Sequence, residues 1–138
     1  MKSYKSVAIE GCPSSLVDDA VSEIQDLVQE ITDWKSGMEG TNLENSEKYQ
    51  LLDNAESELS SVENDIDEWP NDEVRITCYI TMPKRVKRSP SRAVRLENAN
   101  AKIGAVKDFY ESLDGDYSEI IDKLDGMIKE VEFPRMYG

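Results

Sequence analysis

A chain of 138 residues with a formal net charge of −13 and 38% hydrophobic residues fits one domain, able to bury roughly two-thirds of the surface its unfolded form exposes. It contains no histidine, so it lacks both the commonest general base and the commonest metal ligand, and it carries no GxSxG, Walker, GxGxxG or HExxH pattern. Cys12 and Cys78 stand 66 residues apart without a CxxC spacing, and no apolar run approaches the roughly 18–20 residues that span a bilayer, which argues against a zinc ribbon, a disulfide framework and a membrane span.

In chain order, residues 4–9 read as a short strand, and Glu10 to Pro13 as a turn. Leu16, Val17, Ala20, Val21, Ile24, Leu27, Val28, Ile31 and Trp34 then recur at helical spacing. Ser14 or Ser15 is the expected cap, and Gly37 and Gly40 the expected stop. After a polar turn at Asn42–Asn45, a second stripe runs through Tyr49, Leu52, Ala55, Leu59, Val62, Ile66 and Trp69, narrow enough for a coiled-coil seam, until Pro70 ends it. The short connection folds the two helices back on each other as an acidic hairpin over 13–69.

Residues 74–82 switch to period two, which predicts a strand with Val74, Ile76, Cys78, Ile80 and Met82 on one face. A lone strand is unstable, so it must pair with the N-terminal strand, with another short segment, or with the same strand of a second copy. A second helical hairpin is expected over 89–131. Ser89 and Pro90 start its first helix, Asp114-Gly115-Asp116 forms a turn, and the last helix buries residues from Tyr117 to Val131. The fold expected is therefore mainly α, two antiparallel helical hairpins with a short β-strand element between them, in a single domain over 1–138. The narrow seam and the unpaired strand both point to a homodimer or higher homo-oligomer. No secretory segment precedes the cysteines, which places two reduced thiols in a cytoplasmic protein, host-cell cytoplasm if viral.

Charge is unevenly spread. Residues 13–69 hold sixteen acids and two bases, whereas residues 70–138 hold twelve of each. Within the latter, Lys84, Arg85, Lys87, Arg88, Arg92 and Arg95 place six cations in twelve residues with no acid among them. Cations at a helix N-terminus oppose its dipole, and a bound anion held by Arg92 and Arg95, with Ser91 and backbone N–H groups donating, would resolve the conflict. The candidate ligand site is thus Lys84, Arg85, Lys87, Arg88, Ser91, Arg92 and Arg95, with Tyr79 or Tyr110 able to stack on a base. The competing reading is that these cations answer the protein's own acidic hairpin. No catalytic residues, cofactor or metal are assigned, and the negative total disfavours nucleic acid as partner.

Three stretches, WKSGMEGTNLENSEKY at Trp34–Tyr49, SPSRAVRLENA at Ser89–Ala99 and EFPRMYG at Glu132–Gly138, resemble segments in small bacteriophage proteins with no assigned activity. The resemblance implies a viral accessory role, in which blocking a host enzyme or sequestering a signalling nucleotide are common tasks. The sequence reading is accordingly of a non-enzymatic counter-defence protein that binds an anionic nucleotide or signalling phosphate at the basic strand-to-helix junction. The alternative is an acidic DNA mimic that inhibits a basic host enzyme or DNA-binding protein, with rows such as Asp26, Glu30, Asp33 and Glu56, Glu63, Asp67 imitating phosphates. A structural coiled-coil adaptor is a third possibility.

Overall fold

Among the described residues six elements arise in the order β1 (Tyr4–Gly11), α1 (Pro13–Met38), α2 (Glu47–Ser60), β2 (Ile76–Pro83), α3 (Arg92–Ser112) and α4 (Ser118–Met127). The structure is a computed structural model and describes residues 4–41, 46–84 and 91–131. The polar turn expected at Asn42–Asn45 falls outside these residues, as do Ser89 and Pro90, but α3 starts later than that pair implies, because Ser91 is itself the extended N-cap. The fold is mainly α with one small antiparallel sheet.

Helix α1 is the centre of the molecule. Its apolar stripe, Leu16 to Ile31, is almost wholly buried, and α2 and α3 both pack on it. Truncating a fully buried member such as Ile24 to alanine costs about 2–5 kcal/mol in comparable cores. The N-cap is Cys12, two residues before the nearer of the expected caps, with Pro13 in the first helical position. Ser14 has another function: its backbone N–H and Oγ both donate to the Asp72 carboxylate, at 2.9 and 2.7 Å. Asp72 is thus a cap supplied from 58 residues away. The turn that presents it contains Asn71 at φ 58°, a left-handed conformation that asparagine tolerates well. At the other end, Gly40 takes φ 78° just after the C-cap Glu39, where a left-handed glycine closes a helix.

The second helix is shorter than its apolar stripe implies, ending at Ser60 and not running on to Trp69. The last turn has no basic residue, and Glu56, Glu58 and Glu63 crowd the negative end of the helix dipole. Ser60 and Ser61 also donate their hydroxyls back to the carbonyls of Ser57 and Glu58, offering the backbone a way out of the helix. Val62 and Ile66 are nevertheless buried, and Trp69 packs against the core, because the irregular chain keeps following α1 backwards. The pairs Lys35–Asp53, Thr32–Glu56, Asn64–Asp18 and Asp72–Ser14 record that antiparallel course. The coiled-coil seam is consumed within the chain.

Strand β2 pairs with β1 in an antiparallel register, Tyr4 opposite Pro83 and Gly11 opposite Ile76. This settles the partner of the strand as the N-terminal one, so an unpaired β2 no longer argues for a dimer. The sheet is anchored by Asn98, a buried residue of α3. Its side-chain amide accepts from the Thr81 N–H at 2.8 Å and donates to the Thr81 carbonyl at 2.7 Å. Helices α3 and α4 form the second hairpin, linked by Lys107–Asp125 and by Asn100 Nδ2 donating to the Lys129 carbonyl. The latter bond engages chain that has already left the helix, since α4 stops at Met127 while Ile128 and Val131 still pack on the core. Tyr110, buried beside Trp69, Phe109 and Tyr117, donates its hydroxyl to the Pro70 carbonyl at 2.8 Å.

Candidate functional site

At the start of α3, Ser91 is the N-cap, its Oγ accepting from the Val94 N–H. Arg92 and Arg95 follow on one face and meet the acids of α1. Arg95 donates from Nε to Glu23 Oε1 at 2.7 Å, and its Nη1 lies 2.6 Å from Glu30 Oε2. Arg92 Nε lies 3.2 Å from Glu30 Oε1, close enough for an ion pair but not aligned for a hydrogen bond, and its guanidinium sits 4.9 Å over the Trp34 ring. Burial works against the Arg95 charge, but the hydrogen bonds to Glu23 and Glu30 outweigh it and raise its pKa. Glu23 and Glu30 are seven residues apart on α1, two turns along one face, so the pair of arginines clamps α3 to α1.

The structure therefore gives the expected anion-gripping pair an internal counter-charge. The dipole conflict at the α3 N-terminus is answered by Glu23 and Glu30 without a ligand. Of the other candidate residues, Ser91 and Lys84 are exposed, and Lys84 has no ion-pair partner among the described residues. Arg85, Lys87 and Arg88 lie outside the described residues. Tyr79 is 67% exposed on the sheet surface, whereas Tyr110 is buried and unavailable for stacking.

The acidic side has a regularity that a helix would not have given it. From Ser61 to Asp67 exposure alternates: Glu63, Asp65 and Asp67 face solvent, while Val62 and Ile66 face the core and Asn64 is half-buried against Asp18. Within this run the Ile66 N–H donates to Asn64 Oδ1 at 3.2 Å, a side-chain turn that keeps the segment irregular while its acids face solvent. Glu68 is exposed as well, and α4 borders the strip with Glu119, while Asp122 is exposed on the same helix. Lys123 reaches across, donating to the Asp65 carbonyl, and lies with Asp67, Glu68, Glu119, Ile66 and Pro70 around an open cleft of about 330 Å³. No group of three or more acidic or cysteine side chains among the described residues is arranged to hold a metal ion. Periodicity alone missed this strip because Val62 and Ile66 are four apart and both buried, a spacing that a helix satisfies equally well. The run of acids after two serines was the signal against a helix.

Both thiols are free. Hydrogen bonding with Ser15 and Ser14 lowers the pKa of half-exposed Cys12, and burial raises that of Cys78. No described helix is long and apolar enough to cross a membrane. Comparison with protein-family models, with curated proteins and with solved structures yields no match.

Proposed function

We propose that this chain is a non-enzymatic binding protein that docks its acidic strip, Glu63, Asp65, Asp67 and Glu68 with Glu119 and Asp122 beside it, onto a basic protein surface built for nucleic acid. The observation that carries this reading is the alternating exposure of the strip, which turns its carboxylates to solvent on chain pinned to α1. A row of fixed anions complements a cleft that tracks a phosphate backbone, and such charge matching chiefly sets association rate and partner choice. Internal pairing of Arg92 and Arg95 supports it too, since these two cations are engaged by α1, and Lys123 offsets only part of the strip's charge. The resemblance of three stretches to bacteriophage proteins is in keeping with inhibition of a host enzyme or DNA-binding protein in the host cytoplasm.

The test is capture from a bacterial lysate by the immobilised chain, followed by a duplex-DNA displacement assay on each captured protein. The expected outcome is a stoichiometric complex that excludes DNA and dissolves as salt rises, and that is lost in the Glu63→Gln, Asp65→Asn, Asp67→Asn, Glu68→Gln variant. Capture unaffected by this neutralisation, or a captured protein that keeps its DNA, would overturn the proposal.

A second reading, a nucleotide or signalling phosphate held at the strand-to-helix junction, is favoured by one observation: buried Arg92 Nε lacks an aligned acceptor and Lys84 nearby in sequence is unpaired among the described residues. Native mass spectrometry against a nucleotide mixture decides it. A bound mass that disappears in Lys84→Glu, a change that leaves the Arg95 clamp intact, supports this reading.

A further inference from the structure

We propose that β1 is a self-association edge, joining two copies of the chain into a four-stranded sheet of order β2–β1–β1–β2 about a two-fold axis at Val7. Because Asn98 takes both the N–H and the C=O of Thr81, those groups point away from β1. Ser6, directly opposite Thr81, is then in a non-hydrogen-bonded pair, and its own N–H and C=O point away from β2. The two-residue period of the ladder puts the main-chain groups of Tyr4, Ala8 and Glu10 on the same outer edge.

The two edges of the sheet are treated differently. The outer edge of β2 is closed by Asn98, and α3 packs against that strand. Neither an equivalent clamp nor a helix packed to a comparable extent covers β1 among the described residues. The strand is eight residues long, pairs in unbroken register without a bulge and contains no proline, so most of the devices that blunt an edge are missing.

Charge selects a second copy as the occupant. Two copies of a −13 chain repel one another, and contact is least opposed where the surface is neutral. Strand β1 carries only Lys5 and Glu10, net zero, and β2 has no charged residue at all. The edge is also self-complementary. Bonded pairs must join even-numbered residues, and the register with full overlap sets Ser6 opposite Ala8 and Tyr4 opposite Glu10 of the second copy. It brings the two half-exposed Val7 side chains together at the axis and keeps the two Glu10 carboxylates at opposite ends.

The experiment is sedimentation velocity of the whole chain across a concentration series, with disulfide trapping of Val7→Cys in a Cys12→Ser background. A concentration-dependent dimer is expected, with loss of most of it in Ser6→Pro, which removes an outward N–H and leaves the β1–β2 ladder intact. Across a non-bonded antiparallel pair the Cα atoms lie about 4.5 Å apart, within disulfide range, so Val7→Cys should form a covalent dimer on mild oxidation. Lys5→Cys, facing Ile9 of the second copy, should not. A chain that is monomeric at every concentration overturns the proposal, and so does a dimer that persists in Ser6→Pro and fails to cross-link at position 7.

Discussion

Lys35 shows how one residue ties a stability profile to local geometry. Its ammonium is largely buried between α1 and α2, 2.7 Å from Asp53 and 2.9 Å from Glu56, with the Tyr49 ring 5.3 Å away. The hydrogen bond to Asp53 leads in raising its pKa above the ordinary 10.5, against burial. Glu56 is held below 4.5, first by the Thr32 hydroxyl and then by Lys35. Tyr110 is pushed up from 10.0 to about 12, chiefly by burial. The signs differ. Stability from Glu56 is present above pH 4.5 and is lost as pH falls through its lowered folded value. Stability from Lys35 and Tyr110 is present below 10.5 and 10.0 respectively, and is lost as pH rises toward their raised folded values. Denaturant unfolding should therefore give a plateau between these limits and a decline on either side. Lys35→Met should cost about 1–3 kcal/mol at neutral pH, since it strands half-buried Glu56, and should flatten both limbs without abolishing the alkaline one, where Tyr110 still acts. Unchanged stability and an unchanged pH slope in this variant would show that the network is decorative.

At the scale of elements, the cross-braces matter as much as the helices. Asn98→Ala removes two hydrogen bonds at once and leaves the Thr81 N–H and C=O facing α3 without protein partners. The expected loss is about 1–3 kcal/mol, and the Thr81 amide should exchange with solvent faster while amides in the α1 core keep their protection. Uniform acceleration across the chain would mean that the sheet does not open independently. These braces explain what periodicity could and could not reveal. The α1 stripe, the β2 alternation and the α3 stripe were legible because each buries a continuous face, except that β2 starts at Ile76 and leaves Val74, expected on the inner face, exposed ahead of it. How Asp72 caps α1 and how Asn98 closes the sheet were not legible, because each depends on one polar side chain finding a partner 58 or 17 residues away, and the end of α2 was hidden by an apolar spacing that continues past it. The candidate site divides the same way. Arg92 and Arg95 were marked by their misfit with the helix dipole, but only the folded chain brings Glu23 and Glu30 against them.

Over the whole molecule, two electrostatic effects compete, and salt separates them. A net charge of −13 makes the folded state self-repelling, and the exposed acids of the strip have few local cations. The Arg92 and Arg95 clamp works in the opposite direction, but its side chains are only 29% and 20% exposed and their nitrogens lie within 3.2 Å of the carboxylates, well inside a Debye length of about 10 Å at 0.1 M salt. Screening therefore weakens the long-range repulsion more than the clamp. Raising salt from about 0.02 to about 0.5 M should lift the melting temperature by roughly 2–6 °C, the equivalent of about 1 kcal/mol for a chain of this size. The Glu63→Gln, Asp65→Asn, Asp67→Asn, Glu68→Gln variant should start from a higher melting temperature at low salt and gain less, because part of the repulsion has already been removed. A melting temperature that falls with salt would put the clamp above the repulsion in the balance. In that event Glu30→Gln, which weakens the grip on both arginines, should abolish the salt dependence, while neutralising the strip should leave it in place.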